Sequence, residues 1–276
     1  MEGSAEDYDK VPRNVVHLYI RSCLDFQFST MEWFDDDIML DIGCGPGSVT
    51  KDILLPKCPK LKKLVAIDVD PSSIEYARKT NFADKIEYKT QDIIKGMDLE
   101  KNRKYDKIVS FFAFQLISDF KKLFPVISSI LKPGGFFFFI IVTKSHMFTF
   151  MRELEAIKEW SKYIKTEELL SLIPPTANWE DAESEFKTFV SEFELRVTNS
   201  KCDVITMPFV DKKQFLDFLW PYCLKPCLRI WNQTSNAVFG KWPNQLLSDL
   251  FSKVKMARVY ILTKFCKFRD IRKCSN

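Results

Sequence analysis

The chain has 276 residues, of which 46% are hydrophobic and 28% charged, a balance that predicts a folded globular protein and excludes general disorder. Its formal net charge of +4, with acids and bases interspersed, speaks against a nucleic-acid partner, which calls for a clustered basic face. Eight cysteines at irregular spacings form no paired CxxC set, so no metal site is expected and the thiols read as reduced and buried.

Residues 1–35 are expected to form an N-terminal helical cap. The opening "MEGSAEDYDK" is acidic and lacks the basic-then-apolar layout of a secretory signal, which points to a cytoplasmic protein. From 36 to 145, five short apolar runs alternate with amphipathic segments: "IMLDI", "LVAID", "IEYKT", "KIVSFF" and "FFFFIIV". Each has the length of one strand and is separated from the next by room for a helix, the rhythm of an α/β fold with a doubly wound parallel sheet. The last run is apolar at successive positions, as suits a central strand covered on both faces. At seven residues it is far shorter than the roughly 20 needed to span a bilayer, so no membrane span is expected.

Beyond 145 the pattern lengthens. Met151, Leu154, Ile157, Trp160 and Ile164 recur at helical spacing, which predicts a helical insertion over 146–200 broken by Pro174 and Pro175. The remainder, 201–276, reads as C-terminal strands and cap, with Ala257–Phe265 alternating as a strand that returns to the sheet edge. The whole chain is expected to be one domain.

The most informative stretch is "LDIGCGPGSVT", Leu40 to Thr50, in which an acid closes an apolar run and glycines follow at 43, 45 and 47. In a strand–turn–helix, glycines let the backbone approach a ligand, and the helix start offers unpaired N–H groups. A pyrophosphate would be repelled by Asp41, whereas a cationic ligand would be attracted. S-adenosylmethionine, with its ammonium and sulfonium, is such a ligand. Asp68 ends the second run, where a carboxylate can accept two ribose hydroxyls. Asp92, in "TQDI", is placed to accept from an adenine amino group, with Ile93 against the ring.

"LDIGCGPGSVT", "AIDVDPSSIEYA", "TQDI", "YDKIVSFFAFQLISD" and "ILKPGG" together resemble the successive motifs of class I S-adenosylmethionine-dependent methyltransferases. The stretch from "KEWSKYI" through "LIPP" to "DFL" more weakly resembles the arthropod juvenile hormone acid methyltransferases, which methylate the carboxylate of farnesoic acid or its epoxide. The resemblance implies a mostly parallel, seven-stranded Rossmann-like sheet with an added helical cap. It implies S-adenosylmethionine as cofactor, a small hydrophobic acid as acceptor, and Asp41, Gly43, Gly45, Asp68, Val69, Asp92, Ile93 and Ser110 as cofactor-binding residues.

The chain departs from that group on the acceptor side. Where the group carries His-Trp after the fourth strand, Gln115 and Leu116 stand here; where it carries Asn-x-x-Gln near the N-terminus, Asn14 and His17 stand here. A carboxylate acceptor is already ionised near neutral pH and needs an anchor rather than a base. Gln115 is the first candidate for that anchor and His17 the second, with Phe114, Leu116, Phe148, Trp160 and Trp220 as candidates to line the tail pocket. A phenol or other small acceptor, and a cofactor-binding scaffold without activity, remain the alternative readings.

Overall fold

The structure is a computed structural model and describes residues 5–10, 13–95, 105–156, 167, 170–193, 195–208 and 256–268. Seven strands form one sheet in the order β3-β2-β1-β4-β5-β7-β6. The first five are β1 (Ile38–Ile42), β2 (Lys63–Asp68), β3 (Ile86–Thr90), β4 (Tyr105–Phe111) and β5 (Leu131–Ser145). They pair in parallel, and β6 (Leu195–Pro208) and β7 (Met256–Phe268) complete the sheet antiparallel.

Apolar side chains alternate between the two faces of these strands. Met39, Leu64, Ala66, Val109, Phe138 and Ile140 join one core, whereas Leu40, Val65, Ile67, Ile108, Phe137 and Phe139 join the other. After the short helix α1 (Ala5–Lys10), the first core is covered by α2 (Asn14–Phe28) through Ile20, Leu24 and Phe28, and by α3 (Pro71–Thr80) through Ile74 and Ala77. The second is covered by α4 (Phe120–Ile130) and by the helix Ala182–Val190. Here Phe124 meets Phe137, Phe186 and Phe189 at centroid separations of 6.1, 5.7 and 5.2 Å, spacings suited to edge-to-face aromatic packing. The apolar run of β5 is thus buried on both sides, as its unbroken hydrophobicity requires.

Three expectations change. Ala257–Phe265 lies within β7, which is not the edge strand: β7 sits between β5 and β6, and β6 forms the edge. The strand carries the buried Ile261 and Thr263 because neighbours flank it on both sides. The helical insertion also ends early, since strand β6 begins at Leu195, inside the range 146–200. General burial of the cysteines does not hold either: Cys44 and Cys58 are buried, but Cys202 is exposed on edge strand β6. Ile157, Trp160, Ile164 and Trp220 lie outside the described residues.

The N-terminal cap is held to distant chain. Tyr19 on α2 donates to Asp203 of β6 at 2.8 Å and lies 2.9 Å from the Thr263 hydroxyl of β7. Arg21, half a turn further on, reaches the Asp52 carbonyl at 3.3 Å. These bonds fix α2 against β6 and β7 and against the turn that follows the glycine loop.

Candidate active site

The strand order reverses between β1 and β4, and the C-terminal ends of strands at such a reversal open a crevice. The glycine loop leaves β1 into that crevice and is sewn to the end of β2. Gly43 and Cys44 donate to the Ile67 carbonyl at 2.8 and 3.0 Å, and Gly45 donates to Oδ2 of Asp68 at 2.8 Å. The β3 end joins the same corner through the Gln91 N–H, which donates to the Asp68 carbonyl at 2.9 Å. Asp41, Gly43, Gly45, Asp68 and the segment carrying Asp92 are therefore brought together by backbone bonds.

The glycines do different jobs, although all three have left-handed backbone, with φ of +77, +54 and +86°. A Cβ on Gly43 would lie 2.2 Å from the Ala113 Cβ, and one on Gly47 would lie 2.8 Å from the Tyr88 hydroxyl, so both serve packing. Among the described residues, a Cβ on Gly45 would meet only Tyr8, at 4.0 Å. Gly45 borders open space, and that space fits a bound ligand rather than the chain's own core.

Asp41 is 2% exposed, and its Oδ2 accepts a 2.7 Å bond from the Thr50 hydroxyl. Burial pushes its carboxyl up to about 7, against the pull of the Thr50 bond, and the neighbouring Asp68 charge adds to the rise. Asp68 is also raised by burial, partly offset by the Asp70 and Gly45 N–H groups that it accepts. Two carboxyls in one dry corner make a place that favours a cation.

The other expected cofactor residues occupy varied settings. Val69, just beyond β2, is 64% exposed, an uncovered apolar surface at the crevice. Asp92 caps its own turn, accepting from the Ile94 N–H at 3.0 Å, and Ile93 is buried in the second core. Ser110 is fully buried and donates to the Ile42 carbonyl at 2.8 Å, so its hydroxyl joins β4 to β1.

On the acceptor side, Phe112 leaves β4 with φ +53°, an uncommon backbone for a bulky residue and a mark of local constraint. The Gln115 amide nitrogen donates to the Phe112 carbonyl and braces that turn, while its Oε1 is buried with no hydrogen-bond partner. Phe114 packs inside the phenylalanine core, 5.5 Å from Phe139, and Phe148 is buried in the first core; neither lines a pocket. Leu116 is 57% exposed. His17 on α2 keeps Nε2 buried without a hydrogen-bond partner, and its pKa is lowered by burial, then by the Arg13 and Arg21 charges. The imidazole is accordingly neutral near pH 7.

Sequence reasoning missed Thr50, Ala113 and Tyr8. Thr50 lies in the quoted motif and could have been found as the hydroxyl one turn beyond the loop. The other two come from segments whose approach to the loop has no local sequence signal.

A family profile described as a methyltransferase domain matches residues 34–213. The chain belongs to this methyltransferase family. It is an S-adenosylmethionine-dependent methyltransferase, and the acid-lined corner beside Gly45 fits a cationic cofactor. The methyltransferase is similar to the juvenile hormone acid O-methyltransferase of Bombyx mori, 25% identical over 191 residues that make up 68% of each chain. It is also similar to the malonyl-(acyl-carrier protein) O-methyltransferase of Acetivibrio thermocellus, 40% identical over 81 residues, which are 29% of this chain and 27% of that one. A putative methyltransferase from Bacillus halodurans shares the fold with a TM-score of 0.56 at 15% identity, over 89% of this chain and 98% of that chain. No helix among the described residues is long and apolar enough to cross a membrane.

Proposed function

We propose that this methyltransferase esterifies the carboxylate of a small hydrophobic acid, of the farnesoic or juvenile hormone acid kind. The support is that two similar proteins, from an insect and a bacterium, are named as O-methyltransferases, one of juvenile hormone acid and one of malonyl-(acyl-carrier protein). The feature of this chain that carries the cofactor half is the buried Asp41 beside open Gly45.

In this reading Asp41 and Asp68 face the cationic and ribose portions of S-adenosylmethionine, Gly45 leaves room for its backbone approach, and Val69 offers an apolar surface to the base. Asp92 and Ile93 complete the base end, and Gly43 sets the loop's path. The Ser110 hydroxyl is already engaged, so this residue contributes by shaping the β4 end. The cofactor, when bound, supplies an electrophilic methyl group. The chain's residues supply alignment and exclusion of water, because an ionised carboxylate needs no proton removed.

Gln115 and His17 hold the acceptor in this scheme. With one N–H spent on Phe112, Gln115 offers a carboxylate one N–H rather than two, and its open Oε1 would repel an oxygen brought against it. His17 therefore becomes the stronger of the two candidates. A phenol acceptor is the second reading, favoured by the neutral His17 Nε2, which could take a phenolic proton.

A methyl-donor assay against farnesoic acid, saturated fatty acids and simple phenols decides between them. Ester formation with a rate nearly flat from pH 7 to 9 at saturating cofactor is the expected result. Methylation of phenols alone, with a steep alkaline rise, would defeat the acid reading.

A further inference from the structure

We infer that Tyr19 is a positioning residue for the methyl acceptor: through α2 it sets the place of His17, an inference that rests on the reading of His17 as an acceptor contact. Its phenol hydroxyl donates to Oδ2 of Asp203 at 2.8 Å and lies 2.9 Å from the Thr263 hydroxyl. The single phenol proton goes to the carboxylate, so the Thr263 hydroxyl is the donor in the second bond. Burial holds the phenol well above its usual pKa, and it stays a donor throughout the neutral range. Lys201 reaches the same Asp203 oxygen at 2.9 Å, which fixes the carboxylate in turn.

The strand register places this clamp beside the acceptor side of the crevice. Thr263 of β7 is paired with Ile140 of β5, and Ile140 with Phe111, the last residue of β4. On its other side Thr263 is paired with Lys201 of β6. At roughly 4.8 Å per strand, the Thr263 backbone stands about 10 Å from the end of β4. There the chain turns through the left-handed Phe112 toward Gln115. Phe111, Ile140 and Ile261 belong to the first core, the face that α2 covers, so the clamp lies between that helix and the sheet.

Packing of Ile20, Leu24 and Phe28 holds α2 onto the sheet, but apolar contact is non-directional and tolerates small slides and rotations. The bonds of Tyr19 are directional and tie the helix to β6 and β7. His17 stands two residues earlier, about 3 Å along the axis and roughly 200° around it, so the two side chains do not meet. Tyr19 therefore acts through the helix backbone. The His17 Nε2 is buried without a hydrogen-bond partner, and its position follows from the helix that carries it. A displacement of about 1 Å at a contacting group can cost on the order of a hundredfold in rate.

The test is steady-state kinetics on the full chain with S-adenosylmethionine and farnesoate, beside S-adenosylhomocysteine calorimetry and a melting temperature for each variant. Tyr19→Phe removes only the hydroxyl and should raise the farnesoate KM about tenfold, with S-adenosylhomocysteine affinity within twofold of wild type. Asp203→Asn keeps an oxygen for the phenol and should recover most of the loss seen in Asp203→Ala. The Asp203 pair also supplies the reading if Tyr19→Phe does not fold. His17→Ala should raise the same KM, and Tyr19→Phe combined with His17→Ala should be no worse than His17→Ala alone, because the clamp then has nothing to position. A lowered melting temperature with unchanged KM, equal weakening of farnesoate and S-adenosylhomocysteine, or additive effects in the double variant overturns the inference. An unchanged KM in His17→Ala defeats the reading of His17 as an acceptor contact instead. If the wild-type chain does not turn over farnesoate, the acid reading fails, and the same variants are read with the phenol that it methylates.

Discussion

The two halves of the crevice are built in opposite ways. On the cofactor side, Asp41, Gly43, Gly45 and Asp68 lie within 28 residues of one another in sequence and are fixed by short backbone and hydroxyl bonds before any ligand arrives. On the acceptor side, His17 and Gln115 come from segments almost a hundred residues apart, and each keeps a buried polar atom without a hydrogen-bond partner. One half is a preorganised cradle whose chemistry is set locally. The other presents buried polar atoms, at His17 Nε2 and Gln115 Oε1, to which the proposed function assigns the acceptor.

The largest expected effect falls on the cradle. Asp68→Ala removes the acceptor of two prospective charge-assisted bonds, each worth about 1.5–3 kcal/mol, so S-adenosylhomocysteine affinity should fall by at least about a hundredfold in calorimetry. The loss of the Gly45 and Asp70 contacts should cost about 1–2 kcal/mol of stability, readable in a urea titration. Unchanged affinity in the folded variant would remove Asp68 from the site.

The glycines split folding from binding. Gly43→Ala drives a Cβ into Ala113 and should destabilise the protein by about 2–4 kcal/mol through crowding and left-handed strain. Gly45→Val places its side chain in open space, so its stability cost should be limited to about 1–2 kcal/mol of backbone strain, while S-adenosylhomocysteine binding is lost. If both variants lose stability equally and bind alike, the division of labour drawn from the geometry is wrong.

Protonation of Asp41 gives the cradle a pH signature. With the folded carboxyl raised to about 7, the unfolded chain loses this proton first as pH rises from about 4, so the unliganded fold loses stability between about pH 4 and 7 and levels off above. A cation bound beside Asp41 favours the ionised form. Affinity for S-adenosylhomocysteine should therefore rise about tenfold from pH 6 to pH 8, and Asp41→Asn should flatten that slope.

The smallest effect is expected on the acceptor side. Gln115→Leu removes one prospective N–H to substrate and the brace on Phe112, so turnover on the best acid should drop about tenfold with S-adenosylhomocysteine affinity unchanged. A drop beyond a hundredfold would return Gln115 to the role of principal anchor.

The sequence by itself determined the parallel half of the sheet and the cradle. A strand's burial is written in its own apolar pattern, and the acids and glycines that the proposed function assigns to the cofactor sit within or next to those same strands, in "LDIGCG" and "AIDVD". Even the bond that the Thr50 hydroxyl donates to Asp41 spans only nine residues, within reach of local reading. Only the tertiary structure decided that β7 lies inside the edge, because strand order depends on which partner remains when the chain returns. It alone decided that Phe114 belongs to the aromatic core and that the Gln115 amide is spent on Phe112, since a side chain's direction after a turn follows from a backbone conformation, here the left-handed Phe112, that no residue type announces. The same holds for the approach of Tyr8 to the glycine loop and for the ties of Tyr19 to Asp203 and Thr263, because contacts between segments distant in the chain leave no periodicity in the sequence from which they could be read.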